Sequence, residues 1–299
     1  MVVKIQIIRY NYSVMFMKKV MKYLTVIILL ALIGLIGFLI WKYNKKTEYI
    51  DNKPNDNYDK EPIYLDHVDE FDIQNSNYLE RFYERYVAYK KLHSDYSDDK
   101  IITYVNIGLD KPFYSDMEEV DMSKKYLIIC NKYHNLKKDY VPDLVSLDGY
   151  GGGSMEREAA SYFKKMVDAA KEEGLTLKNV SGYRSYGTQT YLYNNYVSQD
   201  GKAKADTYSA RPGTSEHQTG LASDINWVSS RFENTEEYKW LIKNAHKYGF
   251  ILRYPKGKTD ITGYTYEPWH YRYVGSSVAK YIYEHDITYE EYYATFILK

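Results

Sequence analysis

The chain has one cysteine in 299 residues, Cys130, so no intramolecular disulfide can staple it. That cysteine lies in the apolar run Tyr126-Leu127-Ile128-Ile129-Cys130, with nothing beside it to activate a thiol. It reads as a small core residue in a strand, not as a nucleophile. Acidic residues are missing from positions 1–46, which carry eight Lys or Arg (Lys4, Arg9, Lys18, Lys19, Lys22, Lys42, Lys45, Lys46). The whole chain balances at 40 basic and 40 acidic residues, so the remainder has 32 basic against 40 acidic, a net of −8. A mildly acidic body has no basic stripe for a phosphate backbone, which argues against nucleic acid as a partner. Internal repeats are absent as well.

What is present begins with Leu24 to Trp41, 18 residues without a charge. As a helix this run would reach roughly 27 Å, close to the thickness of a hydrocarbon core. No small-x-small cleavage motif follows Phe38-Leu39-Ile40-Trp41-Lys42, so an uncleaved membrane anchor is expected. Lys18, Lys19 and Lys22 ahead of it favour an inside N-terminus, which leaves the body outside the cytoplasm. The expected organisation is a cytoplasmic segment over 1–23, an anchor over 24–41, a stalk and linker helix over 42–99, and an extracytoplasmic domain over 100–299. Within the stalk, residues 44–61 are rich in Asn, Asp, Lys and Pro. Tyr78, Phe82, Tyr86 and Tyr89 recur at helical spacing, predicting a helix over 75–92 that serves as a stalk or packs on the main domain.

From residue 100 the pattern becomes mixed. Residues 101–105 and 126–130 read as strands, and Gly149 to Gly153 as a loop. Ser154 offers an N-cap for a helix whose inner stripe is Ala159, Phe163, Met166, Val167 and Ala170. A strand is expected over 175–182 and a helix over 188–197. Thr235 caps a further helix that Gly249 ends, and strands are expected over 250–254 and 270–274. Two terminal helices open at Ser276 and at Thr288, the latter with capping-box spacing to Glu291. Helices interspersed with short strands, without a βαβ rhythm, indicate an α+β fold.

The chemistry lies in two stretches. His217 and Asp224 stand seven apart, and Glu267-Pro268-Trp269-His270 follows downstream. Together they supply two imidazoles and a carboxylate for a metal, with a spare carboxylate three residues before the last imidazole. Three protein ligands, an open position and a base are the parts of a catalytic zinc site. Pro268 keeps the backbone at Glu267 extended, so that its carboxylate can act as the general base. The other histidines, His67, His93, His134, His246 and His285, have no such surroundings, and His246 reads as a cap near Gly249.

Three blocks carry a family resemblance: Ser181-Gly182-Tyr183-Arg184-Ser185, Ser215-Glu216-His217-Gln218-Thr219-Gly220-Leu221-Ala222-Ser223-Asp224, and Glu267-Pro268-Trp269-His270. In this order and at these separations they resemble the VanY-like zinc D-alanyl-D-alanine carboxypeptidases, over roughly residues 125–280. The resemblance implies a small mixed or antiparallel sheet flanked by helices, of the Hedgehog and D-Ala-D-Ala peptidase type. It implies Zn2+ on His217, Asp224 and His270, Glu267 as base, and Arg184 on the substrate carboxylate or the developing oxyanion. Ser215 and Gln189 look like further substrate contacts, although Gln189 could equally face solvent on its helix; Tyr183 and Trp269 look like packing in the site walls. The expected protein is a membrane-anchored monomer that trims the terminal D-alanine from peptidoglycan stem peptides. L,D-carboxypeptidase or endopeptidase action on the same fold, and a non-catalytic zinc-stabilised wall-binding module, are the alternatives.

Overall fold

The structure, a computed structural model, describes residues 77–298. The expected cytoplasmic segment, the anchor over 24–41 and the stalk up to residue 76 lie outside the described residues. Among the described residues, no helix is long and apolar enough to cross a membrane.

The first elements are helices α1 (Tyr83–Leu92) and α2 (Asp98–Asn106). Tyr86 and Tyr89 of α1 pack on Ile101, Ile102 and Val105 of α2. The strand expected over 101–105 is therefore a helix. Ser97 caps it by accepting from the Lys100 N–H at 3.3 Å, and Asp98 and Asp99 occupy the first turn, where the helix dipole favours them. The boundary expected at residue 100 falls inside α2. The strand expected over 126–130 is also absent: a 3₁₀ turn ends at Leu127 and an irregular segment follows. Ile128, Ile129 and Cys130 are buried, but the Tyr126 and Ile128 carbonyls accept from Arg272 Nη2 at 3.1 and 2.7 Å, where a neighbouring strand would otherwise pair.

Strands β1 (Leu144–Ser146) and β2 (Ser154–Glu156) form an antiparallel hairpin. Ser154 is thus in a strand, and Glu156 instead caps α3 (Arg157–Glu172), accepting from the Glu158 and Ala159 N–H groups at 2.9 and 3.0 Å. The order continues with β3 (Asn179–Ser181), α4 (Tyr186–Asp200), β4 (Ala222–Ile225), α5 (Glu236–Asn244), β5 (Phe250–Leu252), β6 (His270–Tyr273), α6 (Ser276–His285) and α7 (Tyr289–Phe296). Thr235 caps α5 through the Tyr238 N–H, and the Thr288–Glu291 capping box opens α7.

β3, β4, β6 and β5 pair in that order into one antiparallel sheet. Side chains alternate along β6, so Tyr271 and Tyr273 point to one face while His270 and Arg272 point to the other. The two tyrosines join Phe163 and Met166 of α3, Leu241 of α5, Ile225 and Phe250 in the main core. That core fixes the sheet from behind and leaves the His270 face for chemistry.

Candidate metal centre

The sheet register does the first part of the assembly. Asp224 on β4 lies directly opposite His270 on β6, which places their side chains on one face within reach of each other. His217 arrives from the 3₁₀ turn Glu216–Thr219, which Gly220 closes at φ +70°. A Cβ at Gly220 would lie 2.9 Å from the Glu156 backbone nitrogen, so both the turn and the close approach require glycine. One donor atom from each of His217, Asp224 and His270 lies within 4.8 Å of the others, and all three residues are buried.

Hydrogen bonding sets which atoms face inward. His217 Nδ1 lies 2.7 Å from the Gly182 carbonyl, which can only accept, so the proton belongs on Nδ1. The remaining lone pair, on Nε2, faces Asp224 Oδ2 at 3.3 Å. His270 Nδ1 lies 3.2 Å from Asp224 Oδ1, a buried oxygen with no hydrogen bond. Lone pairs turned toward a buried carboxylate are stable with a cation among them, and two nitrogens with one oxygen suit zinc. The residues present fit the metal.

Burial alone would raise the Asp224 carboxyl, but the two imidazoles reverse this and leave it well below the usual carboxylate range. His270 is raised to about 9: burial opposes its charge, but Asp224 and Glu216 outweigh burial. Burial, together with the Arg184 charge, lowers His217 despite Asp224. Glu267 is pushed up to about 8 by burial, with Asp224 adding to the rise. A divalent cation at the centre would favour neutral imidazole and ionised carboxylate, drawing His270 and Glu267 back down.

Glu267 is held from its backbone: its N–H donates to Tyr254 O at 3.1 Å and its carbonyl accepts from His270 N–H at 3.2 Å. Its Oε2 lies 3.6 Å from His270 Nδ1, on the side where the three donors gather. Arg184 Nη2 stands 3.6 Å from Asp224 Oδ2 and donates to Ser181 Oγ, while Nη1 donates to Gln189 Oε1 at 2.8 Å. Gln189 does not face solvent. It is buried and donates in turn to the Ala210 carbonyl at 2.7 Å, so it acts on Arg184. Ser215, Trp269, Tyr254 and Val228 line the same cleft, of about 310 Å³, together with Arg184, Gln189, His217, Asp224, Glu267 and His270. Tyr183 is not part of this lining.

Sequence reasoning missed a buried charge cluster behind the centre. Glu216 Oε1 accepts from Arg253 Nε at 2.8 Å and from Arg272 Nη1 at 2.9 Å, and Arg253 forks onto both oxygens of Glu290. Burial raises the Glu216 carboxyl, but Arg253 and Arg272 more than offset this and hold it far below the usual range. Cys130 is core, as expected, and burial pushes its thiol up. His246 stacks on Tyr283 at 3.9 Å, away from the centre.

Two imidazoles, a carboxylate, a spare acid and an arginine around one cleft define a hydrolytic centre of the zinc peptidase class. The sequence profile of the family described as VanY, D-alanyl-D-alanine carboxypeptidase, matches residues 152–276. YodJ of Bacillus subtilis, whose designation as a carboxypeptidase is itself provisional, is 45% identical over 206 residues, covering 62% of this chain and 76% of that protein. The solved LdcB LD-carboxypeptidase is 45% identical with a TM-score of 0.57, over 60% of this chain and 91% of that one. A mutant of the vancomycin resistance D,D-pentapeptidase VanY, solved with Zn(II), is 38% identical with a TM-score of 0.51, over 56% of this chain and 98% of that one. The chain belongs to the VanY family of D-alanyl-D-alanine carboxypeptidases, enzymes of the zinc metallopeptidase type.

Proposed function

We propose that the protein is a D,D-carboxypeptidase that removes the terminal D-alanine of peptidoglycan stem peptides, with His217, Asp224 and His270 holding zinc and Glu267 as base. The observation that carries this reading is the convergence of those four side chains with Arg184 in one buried cleft. Zinc, when bound, supplies Lewis acidity and lowers the pKa of water. Glu267, ionised once a cation at the centre draws its carboxyl back down, takes a proton from the attacking water and passes it to the leaving amine nitrogen. Arg184, fixed by Gln189 and Ser181, directs its remaining N–H groups to the substrate's terminal carboxylate. Ser215 lies on the cleft wall as a further contact. The apolar run 24–41 serves as a single-pass anchor for a monomer whose catalytic domain lies outside the cytoplasm, where such stems occur.

One observation favours a second specificity. Identity to the LD-carboxypeptidase LdcB, 45%, exceeds the 38% to VanY, which supports cleavage of tetrapeptide stems. Mass spectrometry of defined muropeptides separates the two. Release of D-alanine from pentapeptide stems that stops at the tetrapeptide supports the D,D reading; products that appear only from tetrapeptide stems would replace it with the L,D one.

A further inference from the structure

Glu216 immediately precedes His217, yet its carboxylate reaches the other imidazole of the centre. Its Oε2 is buried without a hydrogen bond and faces His270 Nε2, likewise buried and without one, at 3.5 Å. That separation is roughly half an ångström beyond a good N–H···O bond. The two atoms can satisfy each other only if Nε2 carries the proton. Nδ1 is then the lone-pair nitrogen, and it lies 3.2 Å from Asp224 Oδ1, on the metal side. The other Glu216 oxygen is held by Arg253 at 2.8 Å and Arg272 at 2.9 Å. Arg253 is itself clamped by Glu290, and Arg272 by the Tyr126, Ile128 and Tyr273 carbonyls.

We infer that Glu216 is a positioning residue that fixes the tautomer and ring orientation of His270 for the metal, with Arg253 and Arg272 fixing Glu216 in turn. The inference rests on the reading of His270 as a metal ligand. It extends the working centre past the family match, which ends at residue 276, because Glu290 belongs to the C-terminal helix α7. The arginine pair makes the arrangement directional. In Glu216→Gln the arginines keep the amide oxygen, so the NH2 group turns toward His270 Nε2. An N–H donor there needs a ring lone pair, which moves the proton to Nδ1 and blocks the metal side. A change of almost no volume therefore inverts the tautomer.

The test is zinc affinity of the full-length Glu216→Gln protein, by competition with a chromophoric chelator, with near-UV circular dichroism to confirm the fold. A 10- to 100-fold weaker affinity is expected, the usual range for removing a carboxylate behind a ligating histidine. A folded variant with wild-type affinity overturns the assignment. If the variant does not fold, histidine-selective ¹⁵N NMR of zinc-loaded wild type decides, with the His270 signals identified by comparison with His270→Ala. Protonation of His270 at Nε2 supports the role, and a bare Nε2 overturns it. His270→Ala also separates the two levels: if it leaves zinc affinity unchanged, the ligand reading fails and the inference with it, whereas silence of Glu216→Gln alone removes only the role of Glu216.

Discussion

Glu267→Gln should separate catalysis from stability. The amide keeps the shape of the side chain, and the backbone bonds to Tyr254 and His270 that hold the position remain. Zinc content should stay near one per chain, since the three proposed ligands are untouched. A positioned general base contributes roughly 10²–10⁴-fold, so turnover should fall by that factor, about 3–5 kcal/mol of barrier. The sign for stability is opposite. Burial raises Glu267 from 4.5 to about 8, so the folded metal-free protein holds a proton that the unfolded chain releases above its ordinary carboxylate range. Wild-type stability is therefore lost as pH rises from about 4.5 to 8, by about 3 kcal/mol at pH 7. The amide has no charge to bury and should be more stable than wild type by that amount at pH 7, with no gain near pH 4. Mass-spectrometric D-alanine release from muropeptides measures the first effect, and urea denaturation of the metal-free proteins at several pH values measures the second. A variant that keeps more than a tenth of wild-type turnover, or that loses activity and stability together, refutes the reasoning.

Gln189→Leu removes the acceptor from Arg184 Nη1, a bond to a charged group worth about 1.5–3 kcal/mol, so kcat/KM should drop about 10- to 100-fold while zinc affinity holds; steady-state kinetics with a chelator titration checks this. Zinc uptake at pH 7 should release about two protons, because His270 and Glu267 hold theirs in the metal-free protein at about 9 and about 8. Calorimetry in buffers of different ionisation enthalpy counts them, and affinity should rise with pH until both groups are deprotonated. Gly220→Ala forces a side chain into positive φ and against Glu156, and should cost about 1–3 kcal/mol of stability by urea denaturation.

The centre was legible because its chemistry is written in short blocks: His217 and Asp224 in one, Glu267 and His270 in the other. The caps at Thr235 and Thr288 were legible for the same reason, since each is a local pattern. What failed was non-local. The β-branched run at 101–105 favours strand by propensity, but packing on the tyrosines of α1 imposes a helix; the Ser97 cap ahead of it is the one local signal that was passed over. The second half of the apolar run at 126–130 is buried as a strand would be, yet the Tyr126 and Ile128 carbonyls are taken by a guanidinium from β6. Gln189 sits on a largely polar helix, and nothing nearby in sequence announces that Arg184 and the Ala210 carbonyl bury it. The Glu216–Arg253–Arg272–Glu290 cluster joins four separate segments, so no local pattern reveals it.

The most direct test is anomalous diffraction at the zinc absorption edge from crystals grown with zinc. The account predicts one strong peak bounded by His217 Nε2, an Asp224 carboxylate oxygen and His270 Nδ1, with Glu267 beside it but unbound. A cleft without that peak, or an ion held by other side chains while the enzyme still hydrolyses muropeptides, would contradict it.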